Sequence, residues 1–192
     1  MQGVLMVNQK EYRILKLLGH GKGGYSYLAE RDGHFYVVKQ IHHEPCEYYT
    51  FGNKIESERN DYYKLLQTSI RIPKMLDIDI ENERVLKEYI DGPSIYDLVK
   101  SGAMKDSYLL QMKEMATAVY AAGLNIDYFP TNFIVQDDLL FYIDYECNDY
   151  MDEWNFENWG VKYWSKTQEF MDYMEKAANG KNKVVLMKDM SS

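Results

Sequence analysis

Between residues 12 and 41 the chain repeats a two-residue period three times around a run of glycines, and this stretch limits the fold more than any other. Residues 12–18 (Tyr-Arg-Ile-Leu-Lys-Leu-Leu) read as a strand, followed by Gly19, Gly21, Gly23 and Gly24. Within them Gly19-x-Gly21-x-x-Gly24 has the spacing of a phosphate-cradling loop, where the lack of a Cβ lets backbone N–H groups approach phosphate oxygens. That spacing alone is common, and its context decides what it means. A dinucleotide-binding unit needs a helix directly after the glycines. Here Tyr25–Arg31 alternates like a strand, Asp32-Gly33 is a hairpin turn, and residues 34–41 form a third strand carrying Lys39.

Residues 42–52 are an irregular connection with Pro45 and Gly52. His42, His43 and Cys46 fall there, but no second ligand pair stands at metal-site spacing, so a polar loop is expected. Helical periodicity runs from Asn53 to Gln67. Asn53 is the predicted cap, Glu56 completes a capping-box signature, and Ile55, Tyr62 and Leu66 share the inward face. Glu58 points near that face and is either an exposed helix charge or a partner for Lys39, with Glu56 as the fallback. Residues 74–80 and 84–90 form a further hairpin. Glu88-Tyr-Ile-Asp-Gly-Pro93 punctuates a boundary.

Downstream, Ser94 caps a short helix to Lys100. Asp106 is the expected cap of a longer helix through Ala122, with Met112, Met115, Val119 and Ala122 as its core and Gly123 as its stop. Asp127 and Asn132 flank a loop broken by Pro130. Residues 132–136 and 139–143 then read as strands joined at Asp137-Asp138, a hairpin whose open end would bring Asn132 close to Asp144. A carboxylate and a carboxamide are hard oxygen donors that suit magnesium. Residues 165–178 read as a last helix ended by Asn179-Gly180, with a loose strand or disordered tail from Lys181.

The 192 residues fit one domain, or one with two lobes, and a hydrophobic fraction of 46% allows a proper core. The net charge of −8 disfavours nucleic acid or an anionic membrane as main partner. Cys46 and Cys147 lie far apart, which suggests reduced thiols and a cytoplasmic setting. No apolar run reaches bilayer length, and the N-terminus does not read as a signal peptide.

Taken in order, the glycine loop (Gly19, Gly21, Gly24), Lys39, Glu58, the Glu88-Tyr-Ile-Asp-Gly linker, Asp127-x-x-Pro130-x-Asn132 and Ile143-Asp144 resemble the protein kinase-like superfamily over residues 12–146. The linker and compact length look like the small atypical kinases, such as RIO-type proteins and the small kinase of the KEOPS complex. Ile-Asp-Tyr-Glu looks more like the aminoglycoside and choline phosphotransferases. The resemblance implies an α+β fold of two lobes: residues 1–90 an antiparallel-sheet nucleotide lobe with one helix, residues 91–192 a small, mainly helical C-lobe. It implies ATP and magnesium as cofactors and phosphoryl transfer to a hydroxyl of a protein or small molecule. Lys39 would hold the α/β-phosphates with Glu58 orienting it. The backbone at Glu88 and Ile90 would contact adenine, Asp127 would take or orient the acceptor proton, and Asn132 and Asp144 would hold magnesium.

The chain departs from the family pattern at several places. Asn125 replaces a histidine, Ile126 an arginine, and Phe129 a residue that is often cationic; Asp144-Tyr145-Glu146 lacks the glycine of Asp-Phe-Gly. No Ala-Pro-Glu motif is present, and 48 residues follow Asp144. Neither a glycine-based flip nor control through a phosphorylated activation loop is expected. Residues 149–164 set Trp154, Phe156, Trp159, Tyr163 and Trp164 among acids, as a cap on the core or as a docking surface for a basic or ring-bearing acceptor. Two other functions compete with an active kinase: a nucleotide-binding module without transfer, and a scaffold that binds no nucleotide.

Overall fold

A computed structural model describes residues 3–44 and 52–189, with side chains described to residue 179. The chain divides into two compact units, Met1–Asp91 with Phe141–Cys147, and Gly92–Leu140 with Asn148–Ser192. Among the described residues, no helix is long and apolar enough to cross a membrane.

The first unit is built on a six-stranded antiparallel sheet: Val4–Val7 (β1), Lys10–His20 (β2), Gly24–Arg31 (β3), His34–Ile41 (β4), then the helix Lys54–Leu65 (α1), and Met75–Asp79 (β5) and Arg84–Glu88 (β6). The strand order is β1-β2-β3-β4-β6-β5. β1 is not legible as a strand before position 12. It is closed by Asn8 and Gln9, both at positive φ, and Asn8 is fixed from outside by hydrogen bonds to Asp77, Ile78 and Asp79. The expected Asp32-Gly33 turn forms with both residues at positive φ, the geometry that matches strand twist. Val7, Tyr12, Ala29, Val38 and Leu86 make the core cluster of the sheet.

Asn53 caps α1, its side chain accepting from the Glu56 amide at 3.2 Å. The reciprocal half of the capping box is missing because Glu56 pairs with Arg59 instead. Leu65, not Leu66, completes the buried face with Ile55 and Tyr62; Leu66 is the exposed C-cap, where the last turn swings its side chain to solvent.

The second unit carries the helices Ile95–Ser101 (α2) and Asp106–Ala121 (α3), the strands Leu124–Ile126 (β7) and Phe133–Gln136 (β8), and the helix Gln168–Asp189 (α4). β8 pairs with Leu139–Tyr142 (β9) through Asp137 and Asp138, both at positive φ, and β7 pairs with Cys147–Asp149 (β10). Ser94 caps α2 as expected. Asp106 does not cap α3: Lys105 holds the cap position without a side-chain bond, and its ammonium joins the Tyr108 hydroxyl on Asp138. Ala116, rather than the exposed Ala122, fills the core face of α3. Gly92 sits where an added Cβ would come 1.9 Å from the Val135 carbonyl, so this close approach requires glycine. α4 continues past Asn179-Gly180 to Asp189, so the expected stop and loose tail are corrected. A Gly inside a helix costs only about 1 kcal/mol relative to Ala, and the Lys, Leu and Met that follow are good helix formers.

Candidate functional site

Along β4 the two-residue period sends Val38 into the sheet core and Lys39 to the opposite face. There the Lys39 ammonium meets Glu58 of α1 at 2.6 Å and Asp144 at 3.4 Å. Glu56, the fallback, is engaged by Arg59. Lys39 and Glu58 are almost wholly withdrawn from solvent, with side chains 11% and 9% exposed, so the pair acts at low dielectric. Burial opposes charge on Lys39, but the carboxylates of Asp144 and Glu58 outweigh it and hold the ammonium above its ordinary range. For Asp144, burial pushes the carboxyl up. The charges of Lys39 and Lys87 and the Tyr145 amide, 2.8 Å from Oδ1, win and hold it at about 2. Glu58 keeps one buried oxygen, Oε1, without a hydrogen-bond partner.

Sequence reading missed Lys87. It follows Val85, the cross-strand neighbour of Lys39, by two residues and so lies on the same sheet face. Its Nζ donates to the Ile143 carbonyl at 2.7 Å and stands 4.0 Å over the Tyr145 ring. Burial pulls this lysine down to about 8, with Lys39 assisting and Glu58 and Asp144 opposing. In the sequence it stands between Leu86 and Glu88, just before the linker, and strand register is what places it on this face. Tyr145 is itself buried, donates its hydroxyl to the Pro73 carbonyl at 2.9 Å and packs on Tyr62. The Asp144 segment is therefore pinned on both sides.

Among the loop glycines, roles separate by geometry. A Cβ on Gly24 would stand 2.3 Å from the Gln40 carbonyl across the β3–β4 pair, so Gly24 is glycine for strand packing. Gly19 and Gly21 face open space, and Gly23, outside the predicted set, is the one whose Cβ would touch the Lys39 side chain, at 3.6 Å. At the linker, the Glu88 amide donates to the Lys74 carbonyl at 2.9 Å and Ile90 is buried.

In the second unit, Asp127 and Asn132 are brought together. The Asp127 carboxylate accepts from the Phe129 amide at 3.0 Å, and the Asn132 carboxamide reaches the Asp127 carbonyl at 3.4 Å. The turn Pro130–Asn132 sets this spacing, its last amide donating to the Phe129 carbonyl at 2.9 Å. Asn125 is buried and donates to the Met151 carbonyl at 2.8 Å. The ring of Phe129 lies among Tyr173, Tyr163 and Trp159, with centroids 4.7, 5.2 and 6.4 Å away. The aromatic segment divides: Phe156 and Trp164 are buried, Trp164 donating to the Tyr128 carbonyl at 2.8 Å, whereas Trp154 is half exposed. Cys46 and Pro45 lie outside the described residues; Cys147 is buried, with its thiol pushed up to about 12, chiefly by burial.

The chain is similar in fold to a protein kinase domain. The crystal structure of the BubR1 kinase domain matches with a TM-score of 0.55 and 17% identity, covering 79% of this chain and 52% of that one. This chain thus spans about half the length of that domain. No family profile and no curated protein matches it. The likeness supports a mixed α+β fold with an antiparallel sheet.

Proposed function

We propose that this protein transfers the γ-phosphoryl group of ATP, with magnesium, to a hydroxyl of a protein or small molecule. One observation carries the reading: a buried lysine on the second strand after a glycine loop, held between a helix glutamate at 2.6 Å and an aspartate at 3.4 Å. A kinase-type phosphate grip asks for such a pair, because transfer is catalysed by positioning and charge neutralisation. In this reading Lys39 takes the α/β-phosphates, Glu58 orients it, and residues 19–24 lie against the phosphates. The linker backbone at Glu88 and Ile90 receives the adenine. Asp127 takes or orients the acceptor proton as the new O–P bond forms and ADP leaves.

In this reading Asp144, held ionised, and Asn132, with its carboxamide oxygen, would hold magnesium. When bound, that ion neutralises charge on the phosphates. The test is magnesium-dependent ADP release by the full chain, with Asp127→Asn and Asp144→Asn each removing it. Unchanged turnover in both variants contradicts the proposal.

The packing of Phe129 favours a second reading, a nucleotide-binding module without transfer. The position two after Asp127 holds an aromatic ring packed on Tyr173 instead of a cation. Stabilisation by nucleotide without turnover on any acceptor selects this reading, and no nucleotide binding rejects both.

A further inference from the structure

We propose that His20, His42 and Glu44 form a binding site for a divalent transition ion of the zinc class, with water as the remaining ligand. One donor atom from each of the three lies within 4.8 Å of the others, and His20 Nε2 stands 3.4 Å from Glu44 Oε2. Bonds of 2.0–2.2 Å at tetrahedral angles separate neighbouring donors by about 3.4 Å. One edge of the coordination shell therefore already has its length, and the other donor pairs lie within 4.8 Å.

The groups behind these ligands are placed as metal sites place them. His42 Nε2 lies 2.9 Å from the Gly21 carbonyl, a contact that requires an N–H there and leaves the lone pair on Nδ1. A ligating histidine ordinarily donates its other ring N–H in this way. His42 Nδ1 accepts from the Glu44 amide at 3.2 Å, a long bond that an ion would replace. Glu44 Oε1 accepts from the Tyr25 hydroxyl, which leaves Oε2 facing His20. The Tyr25 ring stacks on the His20 imidazole at 4.2 Å and 7°, fixing its plane. Buried Lys54 donates to the carbonyls of both Lys22 and His42 and ties the two segments together.

Two imidazoles and one carboxylate suit zinc and its neighbours rather than magnesium or calcium. Local spacing hides the site, because the second histidine arrives from the end of β2, twenty-two residues before His42, through strand pairing. His43, which the sequence offers instead, pairs with Glu83 at 2.6 Å. An ion here would bridge the glycine loop to the connection after β4. The inference stands without the phosphotransfer reading.

The experiment is titration of the chelator-stripped full chain with zinc by calorimetry, and with cobalt by visible absorption. One ion per chain is expected, with the strong cobalt bands of tetrahedral coordination. Affinity is expected to fall at least tenfold in His20→Ala and His42→Ala, and to be unchanged in His34→Ala and His43→Ala. Glu44→Gln, which keeps the side-chain shape, is expected to lose the zinc-dependent rise in Tm. Absence of saturable binding overturns the proposal. So does equal binding by wild type, His20→Ala and His42→Ala, or a zinc-dependent rise in Tm that survives in Glu44→Gln.

Discussion

Lys87 donates to the carbonyl of Ile143 at 2.7 Å, placing a second buried ammonium on the backbone beside Asp144. Its proton is held less tightly in the folded chain, at about 8, than in the unfolded chain near the ordinary lysine value of about 10.4. Between these values the unfolded chain binds more protons, so stability rises with pH. The expected outcome is that the stability gap between wild type and Lys87→Met moves in favour of wild type by roughly 1–3 kcal/mol from pH 8 to 10. Urea denaturation across that range measures it, and a flat gap contradicts the placement of Lys87.

Asp144 gives the opposite window. Its folded value of about 2 lies below the ordinary aspartate value of about 3.9. Its contribution is complete above pH 4 and is lost as pH falls through 2. Wild type is expected to lose roughly 2 kcal/mol over that fall that Asp144→Asn does not lose. Acid titration of the unfolding midpoint of both proteins checks it.

The Lys39–Glu58 pair is asymmetric, and mutation exposes the asymmetry. Lys39 has Asp144 as a second partner, while Glu58 already has one oxygen without a bond. Lys39→Met strands a buried carboxylate and is expected to cost about 3 kcal/mol, more than Glu58→Ala. The double variant Lys39→Met/Glu58→Met is expected to be more stable than Lys39→Met alone, since the Glu58 carboxylate is no longer stranded. Chemical denaturation of the four proteins tests the order.

The loop glycines divide into two classes. Gly24→Ala drives a Cβ into the Gln40 carbonyl and is expected to cost about 1–3 kcal/mol. Gly21→Ala enters open space and is expected to change stability by less than about 0.5 kcal/mol, while weakening nucleotide binding under the proposed function. Thermal unfolding of the two variants beside nucleotide titration separates the effects.

What could be read from the sequence was what local chemistry decides. Asp32-Gly33 adopts positive φ at both residues because that turn matches strand twist, and Asn53 caps α1 because a carboxamide satisfies an orphan amide. Lys39 and Glu58 meet because a strand period and a helix period both point inward. Two failures came from partners far along the chain: β1 needs Asp77 and Asp79 to hold Asn8, and Lys105 is drawn to Asp138. A third was local, since Glu56 turns to Arg59, one helix turn on, rather than back to Asn53. Lys87 was overlooked because a lysine between Leu86 and Glu88 reads as surface until its register beside Val85 is known.

The central claim is that the Lys39–Glu58–Asp144 cluster grips the phosphates of magnesium-bound ATP. Calorimetric titration of the full chain with ATP, with and without magnesium, tests it most directly. The account predicts one nucleotide per chain, tighter with magnesium, and weakened on the order of tenfold or more by Lys39→Met and by Asp144→Asn. Absence of binding, or binding indifferent to both substitutions, would contradict it.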